Sequence, residues 1–175
     1  MATTTDLKTK PRLATPSDLG NNAVKDISAA LNRVLADLYA LHFKTKNFHW
    51  HVSGPHFRDY HLMLDEQAAE IIGITDDVAE RARKIGGPAL KSLAQVIGTS
   101  GITENEADFV SPDKMLAELT DDNRALVAAL RKAKATCDDH GDHASSAMID
   151  EWIDAAERRV WFLFETNRPA MASGH

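Results

Sequence analysis

From Asn22 onward, apolar residues return in steps of three and four: Val24, Ile27, Leu31, Val34, Leu38 and Leu41. That is the period of an amphipathic helix, here running to about Trp50. Ser53-Gly54-Pro55 is turn chemistry. A second long helix is predicted from about His56 to Gly86-Gly87, with Arg81, Arg83 and Lys84 in its last turns, where the helix dipole favours cations. Between Leu90 and Phe109 the periodicity is weak and predicts a short helix and loops. Ser111-Pro112-Asp113 then supplies an N-cap, a first-turn proline and an acid ahead of Met115, Leu116, Leu119, Leu126, Val127 and Leu130. This third long helix ends near Cys137. Asp138-Asp139-His140-Gly141 breaks the chain, and a fourth helix carries Met148, Trp152, Ile153, Ala156, Val160 and Leu163 before Arg168-Pro169 closes it. Four long helices, with one short helix between the second and third, make an all-α four-helix bundle over residues 23–168. Residues 1–22 read as a flexible, polar, weakly basic tail and 169–175 as a short C-terminal tail.

The second helix sorts into three faces. Phe57, Tyr60, Leu64, Ala68, Ile71, Thr75, Val78 and Ala82 cluster about one direction and form its core face. Glu66, Glu70, Asp77, Arg81 and Lys84 are assigned to an outer, solvated face. Between the two lies a stripe of His61, Asp65, Asp76 and Glu80, at roughly 0°, 40°, 60° and 100° around the axis. Leu62, Ala69 and Ile72 share that stripe, and burying unpaired charge beside them would be costly.

The axial spacing of the four polar residues is unusual. His61 and Asp65 are one turn apart, as are Asp76 and Glu80, but a continuous helix separates Asp65 from Asp76 by about 16 Å. Metal bonds to such ligands are only about 2 Å long, so one ion cannot join both pairs within one chain. A second copy running antiparallel across a two-fold axis would bring His61 and Asp65 of one chain to Asp76 and Glu80 of its neighbour. The bland alternative is a solvated helix laced with i,i+4 pairs, Asp77 to Arg81 and Glu80 to Lys84. The Glu-x-x-His pairs that build a di-iron site inside a single bundle are absent: none of the eight histidines has Glu three residues before it.

Composition narrows the class. The chain has 175 residues, 43% of them apolar, which suits one domain with a substantial core. No segment approaches the apolar length of a membrane span and the start lacks a signal-like apolar run, so a soluble, cytoplasmic protein is expected. A single cysteine, Cys137, excludes an internal disulfide and a cysteine-rich zinc site. The net charge of −6 argues against a nucleic-acid coat and for surfaces that attract cations.

Histidines gather where the first helix ends: His49-Trp50-His51 leads through Val-Ser-Gly-Pro to His56 and Phe57. Imidazole and carboxylate together suit iron or zinc. The run Lys44-Thr-Lys-Asn-Phe-His49-Trp50-His51-Val-Ser-Gly-Pro-His56-Phe57, followed by His61-Leu-Met-Leu-Asp65, Asp76-Asp77-Val-Ala-Glu80-Arg81 and Gly86-Gly87, resembles the Dps family, or mini-ferritins. Trp152-Ile-Asp-Ala-Ala-Glu-Arg-Arg-Val-Trp161-Phe-Leu-Phe-Glu165 extends the resemblance, which covers about residues 23–168.

The resemblance implies a ferritin-like bundle with intersubunit ferroxidase ligands at His49, His61 and Asp65 from one chain and Asp76 and Glu80 from its neighbour. Trp50 would stand beside the iron and take up an oxidising equivalent, with core packing as its bland alternative; Trp152 and Trp161 are read as core. The implied activity is oxidation of Fe(II), preferentially by hydrogen peroxide, and storage of Fe(III) inside a hollow homo-dodecameric shell, which protects DNA from oxidative damage. Zinc is a competing occupant. Asp138, Asp139, His140, Asp142 and His143 form a second cation-attracting cluster, read either as a solvated loop with Asp142 as a helix cap or as the mouth of an entry pore, to which Asp138, Asp139 and Asp142 are assigned. Lys8, Lys10 and Arg12 are candidate contacts for non-specific DNA binding, weak singly but additive over many tails, and would make the protein nucleoid-associated. The rival readings are a nucleoid-organising protein with a silent metal site and a redox-inactive zinc-binding assembly.

Overall fold

A computed structural model describes residues 15–169. Lys8, Lys10 and Arg12, and the C-terminal residues after Pro169, lie outside them. The described chain is helical throughout its regular structure: α1 (Asn21–His51), α2 (Phe57–Gly73), α3 (Thr75–Lys84), α4 (Leu93–Thr99), α5 (Pro112–Asp139) and α6 (His143–Thr166). Helix α1 packs on α2 and α5, and α5 packs along α6. The turn at 52–56 makes α1 and α2 a hairpin, and His140 to Asp142 does the same for α5 and α6. The long connection from α3 to α5 carries α4, which rests on α1. This is the four-helix bundle with a single long crossover that the pattern predicts. No helix among the described residues is long and apolar enough to cross a membrane.

The core follows the periodic positions. Ile27, Leu31, Val34, Leu38 and Leu41 of α1 meet Leu64, Ala68 and Ile71 of α2, Val78 and Ala82 of α3, and Met115, Leu116, Leu119, Leu126 and Leu130 of α5. Trp152, Ala156 and Leu163 complete the core from α6. Trp161 does not: it is 60% exposed, with Phe162 and Phe164 also turned outward, so its assignment to the core is wrong. It lies in the last two turns of α6. Phe57, placed on the core face by its angle, is nearly half exposed at the first turn of α2.

The second predicted helix is two. The chain breaks at Ile74, and α3 restarts with the Val78 amide donating to the Ile74 carbonyl at 3.2 Å. Gly73 sits among Ile71, Ile72, Ile74 and Thr75, and glycine and β-branched residues are poor helix formers. The Thr75 hydroxyl donates to the Ile72 carbonyl at 2.7 Å across the break. Core spacing survives it, since Ile71, Thr75, Val78 and Ala82 are all buried. Helix α3 ends as expected at Gly86, whose φ of +97° is left-handed, and a Cβ on Gly87 would strike Ser28 of α1.

Buried charge fastens the crossover to the bundle, which periodicity does not reveal. The Lys44 ammonium lies 2.7 Å from Asp122 and 3.2 Å from Glu118, and donates to the Thr103 carbonyl at 2.9 Å. Burial pushes the Asp122 carboxyl up, with the Lys44 bond opposing it. Two turns earlier on the same helix, buried Asp37 accepts from the Gly101 amide at 2.6 Å, the Ser100 hydroxyl at 3.0 Å and Arg33 at 3.1 Å.

Candidate metal half-sites

The α1–α2 hairpin brings His49 and His61 face to face, their rings stacked with centroids 3.8 Å apart. Each imidazole ties its Nδ1 to the other residue's backbone carbonyl, at 2.8 Å from His49 to His61 and 3.0 Å in the reverse sense. A carbonyl only accepts, so Nδ1 carries a hydrogen in both rings and Nε2 is the nitrogen left to bind a metal. That is the orientation in which a carbonyl holds a metal-binding histidine. The His49 Nε2 lies 4.0 Å from Asp65 Oδ1, a separation that an ion with bonds of about 2 Å to each can span.

Asp65 is more than half exposed, and Lys46 reaches it at 2.7 Å. That hydrogen bond and charge hold the Asp65 carboxyl below its ordinary range. The same ammonium stands 5.9 Å from the centre of the Trp50 ring. Trp50 is 55% exposed and touches Phe43 edge-on at 6.1 Å, so it belongs to the surface of the single chain and not to its core. Lys46 lies one turn before Trp50, and that spacing in α1 could have flagged it as a neighbour of the half-site.

Asp76 and Glu80 project from α3 and are exposed, with Glu80 3.0 Å from Lys84. The break at Ile74 means that straight-helix extrapolation does not fix their distance from His61 and Asp65. Among the described residues no three His, Cys, Asp or Glu side chains of one chain converge to hold a metal ion. The structure places His49 against His61 and 4.0 Å from Asp65, short of a three-ligand set, and leaves Asp76 and Glu80 on a separate helix. Exposed Phe43, Trp50, Phe57 and Leu62 accompany the first group.

Two residues assigned to the outer solvated face are not there. Arg81 donates from Nη2 to Asp142 at 2.6 Å and from Nε to the Ser145 hydroxyl at 2.7 Å, instead of pairing with Asp77. Glu70 lies 2.6 Å from Arg158 and 3.7 Å from Arg159. Both face α6, which the helical angle of a single helix cannot locate.

In the loop before α6, Asp142 is the helix cap, accepting from the Ser145 amide at 3.1 Å and hydroxyl at 2.6 Å. Burial works to raise its carboxyl, but the Ser145 bonds and Arg81 outweigh it and the net shift is downward. Its contribution to stability is thus complete above the ordinary 3.8 and is lost as pH falls through the lower folded value. Asp138, Asp139 and His143 are exposed, and His140 contacts Asp26 at 3.2 Å.

This fold defines a class. A family model described as a ferritin-like domain matches residues 28–167. The DNA protection during starvation protein of Brevibacillus brevis is 33% identical over 137 residues, which is 78% of this chain and 91% of that protein. Among solved structures, a Dps protein from Bacillus brevis superposes with a TM-score of 0.81 at 30% identity, covering 86% of this chain and all of that one. DpsC from Streptomyces coelicolor gives a TM-score of 0.86 at 26% identity over 90% of this chain and 92% of its own. The chain belongs to the Dps family of the ferritin-like superfamily.

Proposed function

We propose that the chain is a mini-ferritin that oxidises Fe(II) at sites shared between two copies and stores the Fe(III) inside a hollow homo-dodecameric shell, limiting oxidative damage to DNA. The observation that carries this reading is the stacked His49–His61 pair, in which each Nδ1 is tied to a carbonyl and Nε2 is left over, with the His49 Nε2 4.0 Å from the Asp65 carboxylate. Asp76 and Glu80 of a two-fold neighbour complete each site, and the apolar rim of Phe43, Trp50, Phe57 and Leu62 is covered by that contact. Carboxylates are hard donors that favour Fe(III) over Fe(II), so binding promotes oxidation. Two ferrous ions lose one electron each, the peroxide O–O bond breaks, and two protons complete two waters. Trp50 would lend an electron when the second ion is late. Iron here is substrate, and zinc competes for the same donors.

Mixing metal-free protein anaerobically with Fe(II), adding hydrogen peroxide and following Fe(III) absorbance by stopped flow tests the reading. Fast, saturable oxidation with a soluble product supports it. A rate equal to the protein-free control transfers the assignment to a zinc-binding or DNA-organising assembly.

Lys46 competes with the metal for Asp65. Lys46→Met is expected to tighten Zn(II) binding by up to about fivefold, the range for an exposed pair, as read by titration of metal-free protein; unchanged or weaker binding speaks against competition. The exposed Asp138, Asp139 and His143 are proposed to draw cations toward a pore, with Asp142 contributing as the cap that shapes the turn. Exchanging Asp138 and Asp139 for Asn would then slow iron uptake at low salt more than at high salt, while an equal effect at both would reject a steering role.

Non-specific DNA binding through Lys8, Lys10 and Arg12 belongs to the same proposal. In gel-shift titrations its affinity should fall steeply with salt and disappear when the three are replaced by Ala; salt-insensitive binding would point to another surface.

A further inference from the structure

The break at Ile74 separates the two halves of the metal site: His61 and Asp65 ride on α2, Asp76 and Glu80 on α3, a helix of only ten residues. What fixes α3 therefore fixes half of the ligand set. Its apolar anchors, Val78 and Ala82, set which side faces the core, but apolar contact is non-directional and tolerates sliding and tilting. A directional contact comes from Arg81, the residue after Glu80. Its guanidinium reaches Asp142 and Ser145, both buried at the start of α6. Asp142 is itself held by the Ser145 amide and hydroxyl, so Arg81 is locked onto a rigid helix cap. A guanidinium fork of this kind fixes orientation as well as distance.

We infer that Arg81 is a positioning residue for iron oxidation: it clamps α3 to the N-cap of α6 and so sets where Asp76 and Glu80 meet the neighbour's histidines. The inference rests on the metal reading of Asp76 and Glu80. It assigns Arg81 no contact with the metal. Groups that orient ligands without touching the metal typically change affinity by about 10–100-fold when removed. The clamp also joins the acidic turn at 138–142 mechanically to the half-site, since Asp142 serves both.

The test is titration of the metal-free full-length protein with Co(II), read by its visible d–d absorption, alongside Fe(II) oxidation kinetics. Four variants are needed: Arg81→Gln, Arg81→Lys, Asp142→Asn and the double variant Asp76→Ala/Glu80→Ala. Arg81→Gln should weaken Co(II) binding at least about tenfold and change the d–d band, with all five ligands still present. Arg81→Lys should recover part of that loss, because an ammonium restores the charge but not the fork. Asp142→Asn keeps a good N-cap residue and removes the carboxylate charge, so it should fall between wild type and Arg81→Gln. If Arg81→Gln fails to fold, Arg81→Lys and Asp142→Asn decide by the same spectrum. Wild-type Co(II) affinity and band shape in the folded Arg81 variants, with binding lost in the Asp76/Glu80 variant, overturn the positioning role alone. Unchanged Co(II) binding in the Asp76/Glu80 variant overturns the metal reading beneath it.

Discussion

Replacing both His61 and Asp65 with Ala is expected to leave a folded assembly whose Fe(II) oxidation by hydrogen peroxide is no faster than the protein-free reaction. His61 is only partly buried and Asp65 is exposed, so neither carries the core. The substitution removes one of the two stacked imidazoles and the carboxylate that accompanies them. His49 then keeps its hydrogen bond to the backbone of residue 61 but loses its ring partner. Of the five proposed donors only His49 and the neighbour's Asp76 and Glu80 then remain, too few to hold two ferrous ions side by side. Circular dichroism and size-exclusion chromatography would establish that fold and assembly persist, and stopped-flow absorbance would read the rate. Unchanged kinetics in a folded variant would place the chemistry elsewhere.

The second large effect concerns stability. Arg159→Ala should destabilise the protein by about 3–5 kcal/mol, the range for stripping one partner from a buried charged network. Arg159 is 2% exposed; its Nε donates to Asn123 Oδ1 at 2.9 Å, and Glu70 lies 3.7 Å from its Nη1. Burial lowers its pKa to about 10, with the neighbouring Glu70 carboxylate opposing that shift, so it remains charged at neutral pH. Its loss leaves Asn123, itself 1% exposed, with an unpaired oxygen and a cavity the size of the missing side chain. Arg158, its neighbour in sequence, is the control. Its side chain is 53% exposed, and Arg158→Ala should cost no more than about 1 kcal/mol despite the shorter bond to Glu70. Thermal melts at a fixed protein concentration compare the two. Equal losses would show that burial does not govern this network.

Arg159 also marks where sequence reasoning reached its limit. The α1, α5 and α6 apolar positions were legible because a 3.6-residue period maps directly onto a buried face, and Ser111-Pro112 placed the start of α5 correctly. Polar residues on those same faces, among them Asp37, Lys44, Asn123 and Arg159, carry no such signal, since their burial depends on partners far away in sequence. The break at Ile74 escaped for a related reason: the core spacing runs through it without a phase error, and only the low helix propensity of Ile72-Gly73-Ile74-Thr75 hinted at it. Arg81 and Glu70 were misplaced for another reason: the angle around one helix does not show where α6 lies. The pairing of His49 with His61 was outside the helical-stripe argument altogether, because they lie on different helices; the histidine cluster at the hairpin was the available clue, and family resemblance turned it into a ligand set. Trp161 shows the opposite error, an aromatic taken for core that lies on the surface.

Cys137 is fully buried, and burial, reinforced by the nearby Asp142 charge, pushes its thiol up to about 11. At neutral pH only about one such thiol in ten thousand is ionised, and the thiolate is the form that peroxide attacks. With no other cysteine in the chain, disulfide cross-linking between copies lacks both a reactive sulfur and an accessible one. The same packing that fills the end of α5 shields the sulfur from the oxidant the protein is proposed to consume.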